Sequence, residues 1–172
     1  MNFELNQEHK LIQKTARDFA KNELLPEVLH RDENKIWPSN IIKNMGELGF
    51  MGMMVNPKWG GGGMDTISYA IAMEEIARAD ASASVIMSVN NSLVCYGLQS
   101  YANEEQKEKY LTKLATGEKL GAFCLSEPEA GSDATSQRTT AIDKGDHYLL
   151  NGTKNWITNG GSADYYLVIA QT

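Results

Sequence analysis

The sequence predicts an α+β protein with helices first and strands second. Three observations carry that expectation. Apolar residues recur at helical spacing in successive segments as far as Thr116. Near Lys119 the pattern changes to short apolar or Thr-rich runs separated by Gly, Asn and Asp turns. The 172 residues are 42% hydrophobic and 22% charged, ordinary globular usage and enough chain to bury a core without cross-links.

The elements follow in order. Asn6 caps a first helix in which Leu11, Ile12, Thr15, Ala16, Phe19 and Ala20 recur. Pro26 bends or restarts the chain. Pro38 opens a segment through Ile41, Ile42, Met45 and Leu48, with Gly49 where a helix stops. A loop with four glycines, Gly60 to Gly63, reads as flexible. Asp65 caps the next helix, which carries Ile67, Ala70, Ile71, Glu74 and Ala77. Residues 81–100 hold no charge and are rich in Ala, Ser, Val, Ile and Leu, the pattern of a central helix buried on nearly all sides. Asn103 with Gln106 forms a capping-box variant, and Gly117 ends that helix. Beyond Lys119, residues 120–126 form a short apolar strand and 137–142 a Thr-rich one. Lys144-Gly145-Asp146 is a turn. Tyr148, Leu149 and Leu150 lead into Asn151-Gly152, a strong hairpin signal with 153–158 as the returning strand. Residues 165–170 form a further strand. About four strands with no obvious closing partner suggest a domain cut off part-way.

Composition and motifs exclude several classes. The net charge of −6 is shared by both parts, so neither offers a basic surface to nucleic acid or an anionic membrane. Cys95 and Cys124 lack CxxC partners, against zinc or a disulfide framework. Serines and asparagines interrupt residues 81–102, against a membrane span. The first six residues lack a secretory pattern, and a cytoplasmic location is expected. His9, His30 and His147 lie in no HExxH pattern, and the glycine run lacks a phosphate-loop ending.

Two segments remain. In Phe123-Cys124-Leu125-Ser126-Glu127-Pro128-Glu129-Ala130-Gly131-Ser132-Asp133, a strand ends in a loop offering backbone N–H groups, hydroxyls and a close-approach glycine. That suits a ring system carrying a pyrophosphate; an ordinary strand-to-loop junction is the alternative. In Asn151-Gly152-Thr153-Lys154-Asn155-Trp156-Ile157-Thr158-Asn159-Gly160-Gly161, strand alternation puts Trp156 and Thr158 on one face. An indole beside a hydroxyl can stack on a planar cofactor and donate to it; a half-buried hairpin Trp is the alternative.

Together these two segments resemble the acyl-CoA dehydrogenase family. Pro57-Lys58-Trp59-Gly60-Gly61, Glu74-Glu75-Ile76-Ala77-Arg78 and Glu105-Gln106-Lys107 are similar to further parts of it, and Ser88-Val89-Asn90-Asn91-Ser92-Leu93 looks most like short-chain, butyryl-type members. The resemblance implies an N-terminal all-α helical domain, 1–118, followed by a truncated β-barrel-like middle domain, 119–172, without the C-terminal helical domain. It implies FAD beside Phe123, Cys124, Leu125, Ser126, Gly131, Ser132, Trp156, Ile157 and Thr158, with the Thr158 hydroxyl near flavin N5 and Ser132 also touching an acyl-CoA. The helix around Val85 and Leu93 resembles an acyl-channel wall. The implied reaction is α,β-dehydrogenation, with electrons passed to an electron-transfer flavoprotein and a homo-oligomer as the complete form. The family's base is a glutamate of the C-terminal domain, so no residue here takes that role and the chain alone is expected to be inactive. Glu129 departs from the family pattern, which has a small or polar residue there. Other readings are a non-catalytic short paralogue that pairs with another chain, and an acyl-CoA oxidase or flavin monooxygenase of the same fold.

Overall fold

The structure is a computed structural model that describes residues 4–172. The Met1-Asn2-Phe3 part of the leader reading lies outside the described residues. The chain forms two compact units, Met1–Lys119 and Leu120–Thr172.

The first unit is helical. Asn6 accepts from the His9 backbone N–H at 2.7 Å and so caps α1, Gln7–Phe19. Ile12, Ala16 and Phe19 form its buried stripe. A π turn, Ala20–Leu24, and a 3₁₀ turn around Pro26, Leu25–Glu27, bend the chain into α2, Val28–Asn34. Pro38 precedes α3, Ser39–Glu47. That helix closes in a Schellman motif: Gly49 adopts φ +77°, Gly49 N–H donates to Gly46 O and Phe50 N–H to Met45 O, each at 2.9 Å.

Asp65 caps α4, Thr66–Ala79, by accepting from Ser68 N–H at 2.7 Å. α1 packs along α4. Arg17 clamps the buried carboxylate of Glu75 through two bonds of 3.0 and 2.7 Å, which holds that carboxyl below the usual range. Asp80 caps α5, Ala81–Ser88. A π turn, Val89–Cys95, continues α5 directly into α6, Tyr96–Tyr101.

The expectation of burial on nearly all sides needs correction here. Ala83, Ile86, Met87, Val94 and Cys95 are buried, but Val85, Leu93, Tyr96 and Tyr101 are exposed. An uncharged sequence records that both faces avoid charge, not that both are covered within this unit. Asn103 and Gln106 form the reciprocal capping box of α7, Glu104–Gln106. It runs through a π turn, Lys107–Leu111, into α8, Thr112–Ala115, and Gly117 follows at φ +75°.

The glycine loop is pinned, not flexible. Gly62 N–H donates to Gly52 O, Gly63 N–H to Val55 O and Met64 N–H to Met53 O, all within 2.9 Å. These three bonds zip residues 62–64 onto 52–55. From the other side, Asn91 donates to Phe50 O at 2.8 Å and accepts from Met53 N–H at 2.9 Å. Asn90 donates to Met51 O and Leu114 O.

The second unit holds two two-stranded sheets and, among the described residues, no closed barrel. β1, Gly121–Cys124, pairs parallel with β4, Tyr165–Val168. β2, Thr140–Asp143, pairs antiparallel with β3, Tyr148–Asn151. The hairpin therefore turns at Lys144-Gly145-Asp146, where Gly145 takes φ +93° and its N–H donates to Asp143 Oδ1 at 2.7 Å. Asn151-Gly152 is not its turn, and residues 153–158 are not a strand. A Cβ at Gly152 would stand 2.3 Å from Thr139 Oγ1. The chain thus runs in against residue 139 instead of folding back along β3.

No helix of the described residues is long and apolar enough to cross a membrane. Both thiols are buried and free; burial pushes Cys95 up to about 12 and raises Cys124 as well. A charged thiol reagent at about pH 8 is therefore expected to label neither cysteine in the folded chain and both after denaturation. Rapid labelling of Cys95 in native protein would contradict the packing of this helix.

Candidate functional site

The two segments singled out in the sequence meet. The Asn155 N–H donates to Ser126 O at 2.9 Å, and Asn159 Nδ2 donates to Gly121 O at 2.9 Å. Residues 155–159 are thereby fastened beside β1 at both ends. Phe123, Leu125 and Ser126 are half-buried, and Cys124 is buried. Ile157 and Thr158 are half-buried on the facing segment.

Trp156 and Thr158 do not share a strand face. Trp156 has φ +58°, a left-handed conformation that breaks any strand alternation, and the residue is 95% exposed. Gly131 and Ser132 are exposed on the following loop, and among the described residues no hydrogen bond joins them to the paired segments. Gly131 has open space around its Cα.

The loop between residues 127 and 138 is built by its own side chains. Glu127 and Ala130 exchange backbone hydrogen bonds of 3.0 and 3.2 Å. Asp133 accepts from the hydroxyls of Ser136 and Thr135, which lower its carboxyl below the usual range. Arg138 pairs with Glu129 at 2.6 Å, so the unusual Glu129 is not an isolated charge.

Two residues of these segments to which motif reading gave no role pair with each other. Glu127 is buried and accepts from Lys154 at 2.8 Å, from Arg138 N–H at 2.6 Å and from Thr139 N–H at 3.0 Å. The Lys154 ammonium, then the two backbone N–H donors, hold this carboxyl down at about 2. Glu127 is thus charged and fully engaged, unsuited to take a proton near neutrality. The available signal was a lysine in an apolar, aromatic stretch and a glutamate directly after a strand, two charges that need each other when buried.

The pH consequence has a definite sign. An ordinary glutamate titrates at about 4.3. Because the folded value is lower, the stabilisation from Glu127 is complete above that value and is lost as pH falls toward about 2. Amide exchange at Arg138 and Thr139 is expected to stay slow from neutrality to about pH 4.5 and to accelerate below it, beyond its intrinsic pH dependence. Loss of that protection already at about pH 6 would contradict this carboxylate geometry.

Among the described residues, the hydroxyls of Ser126, Ser132 and Thr158 carry no hydrogen bond. With the exposed indole of Trp156, the Ser126 and Thr158 hydroxyls on the two fastened segments offer donors that suit a planar ring with a polar edge.

Residues 6–118 match the acyl-CoA dehydrogenase N-terminal domain, and residues 122–172 match the middle domain. The short-chain specific acyl-CoA dehydrogenase of Clostridium acetobutylicum is 43% identical over 172 residues, covering 100% of this chain and 45% of that protein. The structure of butyryl-CoA dehydrogenase from Megasphaera elsdenii superposes with a TM-score of 0.93 at 41% identity, covering 100% of this chain and 46% of that one. Glutaryl-CoA dehydrogenase from Mycobacterium smegmatis in complex with FADH2 gives a TM-score of 0.93 at 39% identity, over 98% of this chain and 43% of that one. The chain spans less than half the length of these relatives. Matched along nearly all of its own residues, it belongs to the acyl-CoA dehydrogenase family.

Proposed function

We propose that residues 1–118 and 119–172 are the N-terminal helical domain and the first part of the middle β domain of an FAD-dependent enzyme that dehydrogenates a short acyl-CoA between Cα and Cβ. The observation that carries the reading is the fastening of residues 155–159 along β1 by Asn155 and Asn159. It brings residues 123–126 and 156–158 to one place, as a shared ligand requires.

The residues present fit a flavin. Phe123, Cys124, Leu125 and Ser126 offer one wall, Trp156, Ile157 and Thr158 another. When bound, the flavin supplies a two-electron acceptor for hydride leaving Cβ. The Thr158 hydroxyl is a neutral donor for charge that builds on the ring, and the Ser126 hydroxyl serves the same edge. Trp156 covers the ring and excludes water. Gly131 leaves room for close approach, and Ser132 offers its hydroxyl to the acyl-CoA.

No residue of this chain is assigned as the base. Glu127 is held by Lys154 and two N–H groups, and Glu129 by Arg138. An electron-transfer flavoprotein as acceptor, a homo-oligomeric complete form and a cytoplasmic location belong to the same reading.

The test is to purify the native protein, detected through a peptide spanning residues 139–154. It is expected to exceed 19.0 kDa, to carry FAD, and to lose flavin absorbance when butyryl-CoA is added without oxygen. The 172-residue chain alone is expected to hold FAD weakly and to show no such bleaching. A native protein without flavin, or one unaffected by any acyl-CoA, would overturn the proposal.

A further inference from the structure

The geometry points to Lys154 as a positioning residue that aims the Ser126 amide at the flavin by holding the carbonyl before it. This rests on the flavin reading above and adds a residue to it. The Lys154 ammonium donates to three acceptors: Leu125 O at 2.9 Å, Glu127 Oε1 at 2.8 Å and Gln137 Oε1 at 3.2 Å. Three donors meet three acceptors, so the head group has one orientation. Its side chain is 11% exposed and that of Glu127 6%.

The bond to Leu125 O matters most. In a planar trans peptide the C=O and the next N–H point in opposite directions. Fixing Leu125 O on Lys154 therefore turns the Ser126 N–H away from the lysine. The plane after it is fixed as well, because Ser126 O accepts from Asn155 N–H at 2.9 Å. Among the described residues the Ser126 N–H has no partner of its own. An unpaired donor, oriented on both sides by bonds to neighbouring carbonyls, is preorganised for a ligand acceptor. Glu127 completes the device by holding Lys154 in place and by tying it to Arg138 N–H and Thr139 N–H.

An alternative assignment is purely structural: the pair stabilises the fold and nothing more. Removing Lys154 alone strands a buried carboxylate, so Lys154→Met need not fold. The double variant Lys154→Met/Glu127→Gln separates the two assignments. It removes both charges together; the Arg138 and Thr139 N–H groups bond to different oxygens of Glu127, so the glutamine carbonyl keeps one of those two bonds and loses the other. Leu125 O, however, has lost its donor.

In the native-length protein, the melting temperature without flavin and the dissociation constant for FAD are to be measured for wild type, the double variant and Lys154→Arg. The double variant is expected to stay folded, melting below wild type by no more than one lost N–H bond accounts for, yet bind FAD at least about tenfold more weakly, with a shifted visible flavin spectrum. Lys154→Arg is expected to recover part of that affinity, since it restores a charged donor toward Leu125 O. A double variant with wild-type FAD affinity and spectrum would overturn the inference while leaving the flavin reading intact. A double variant that does not fold assigns Lys154 to the fold and likewise overturns it. A wild-type protein that takes up no FAD would instead sink the flavin reading itself.

Discussion

Replacing Asp80 by Ala is expected to destabilise the helical unit by about 3–5 kcal/mol, a large share of the stability of such a unit. Asp80 does two things at once. It caps α5 by accepting from Ala83 N–H at 2.9 Å, and it accepts from Arg31 Nη2 at 2.9 Å. The two side chains are only 7% and 10% exposed. Arg31 also donates to Leu24 O at 2.8 Å, in the π turn where α1 bends toward α2. Alanine removes the cap, worth about 1 kcal/mol, and leaves a buried guanidinium without its counter-charge.

Asp80→Asn keeps an acceptor for Ala83 N–H and lengthens no side chain, so the difference between the two variants isolates the charge. Arg31→Met/Asp80→Asn removes both charges and is expected to recover much of the loss. The exposed pair Lys14–Asp18 is the control: Lys14→Ala is expected to cost under about 1 kcal/mol. Denaturant unfolding followed by helical circular dichroism reads all four. If Asp80→Ala costs no more than Lys14→Ala, the Arg31–Asp80 pair contributes nothing despite its burial.

The helix starts in this protein were legible because a cap is a local code. Asn6, Asp65 and Asn103 each bond to a backbone N–H three residues on, within the reach of a short sequence window. The stop at Gly49 is local for the same reason. What failed was whatever a distant residue decides. Residues 153–158 have the composition of a strand, but Lys154 reaches back 27 residues to Glu127, and that ion pair sets the path. Asn151-Gly152 is good turn chemistry, yet the ladder closes across Lys144-Gly145-Asp146. Turn residues permit a hairpin; the partner strand chooses which permitted turn is used. The π turns carry no local code comparable to a cap and were not read from the sequence. The two segments were legible through their resemblance to a family; Glu127 and Lys154 lie in them, but their pairing was not legible, because it spans 27 residues.

Gly61→Ala is expected to cost about 3 kcal/mol, more than a glycine in a mobile loop could cost. A Cβ at residue 61 would stand 2.2 Å from Val55 O and 2.4 Å from Val55 Cβ, so backbone must move. It has little freedom to do so. Residues 52–55 are zipped to 62–64 on one side and held by Asn91 at Phe50 O and Met53 N–H on the other. Gly49→Ala gives the scale: it meets nothing within 4 Å and bears only the strain of φ +77°, about 1 kcal/mol. The order Gly61→Ala above Gly49→Ala is therefore fixed by packing, not by conformational preference. The Asn91 clamp also predicts coupling between sites. In an Asn91→Ala background the 50–55 backbone can retreat, and Gly61→Ala should then cost at least about 1 kcal/mol less than it does alone. Strict additivity in that double-mutant cycle would mean that the clamp and the glycine act independently, and that something other than Asn91 keeps the loop from yielding.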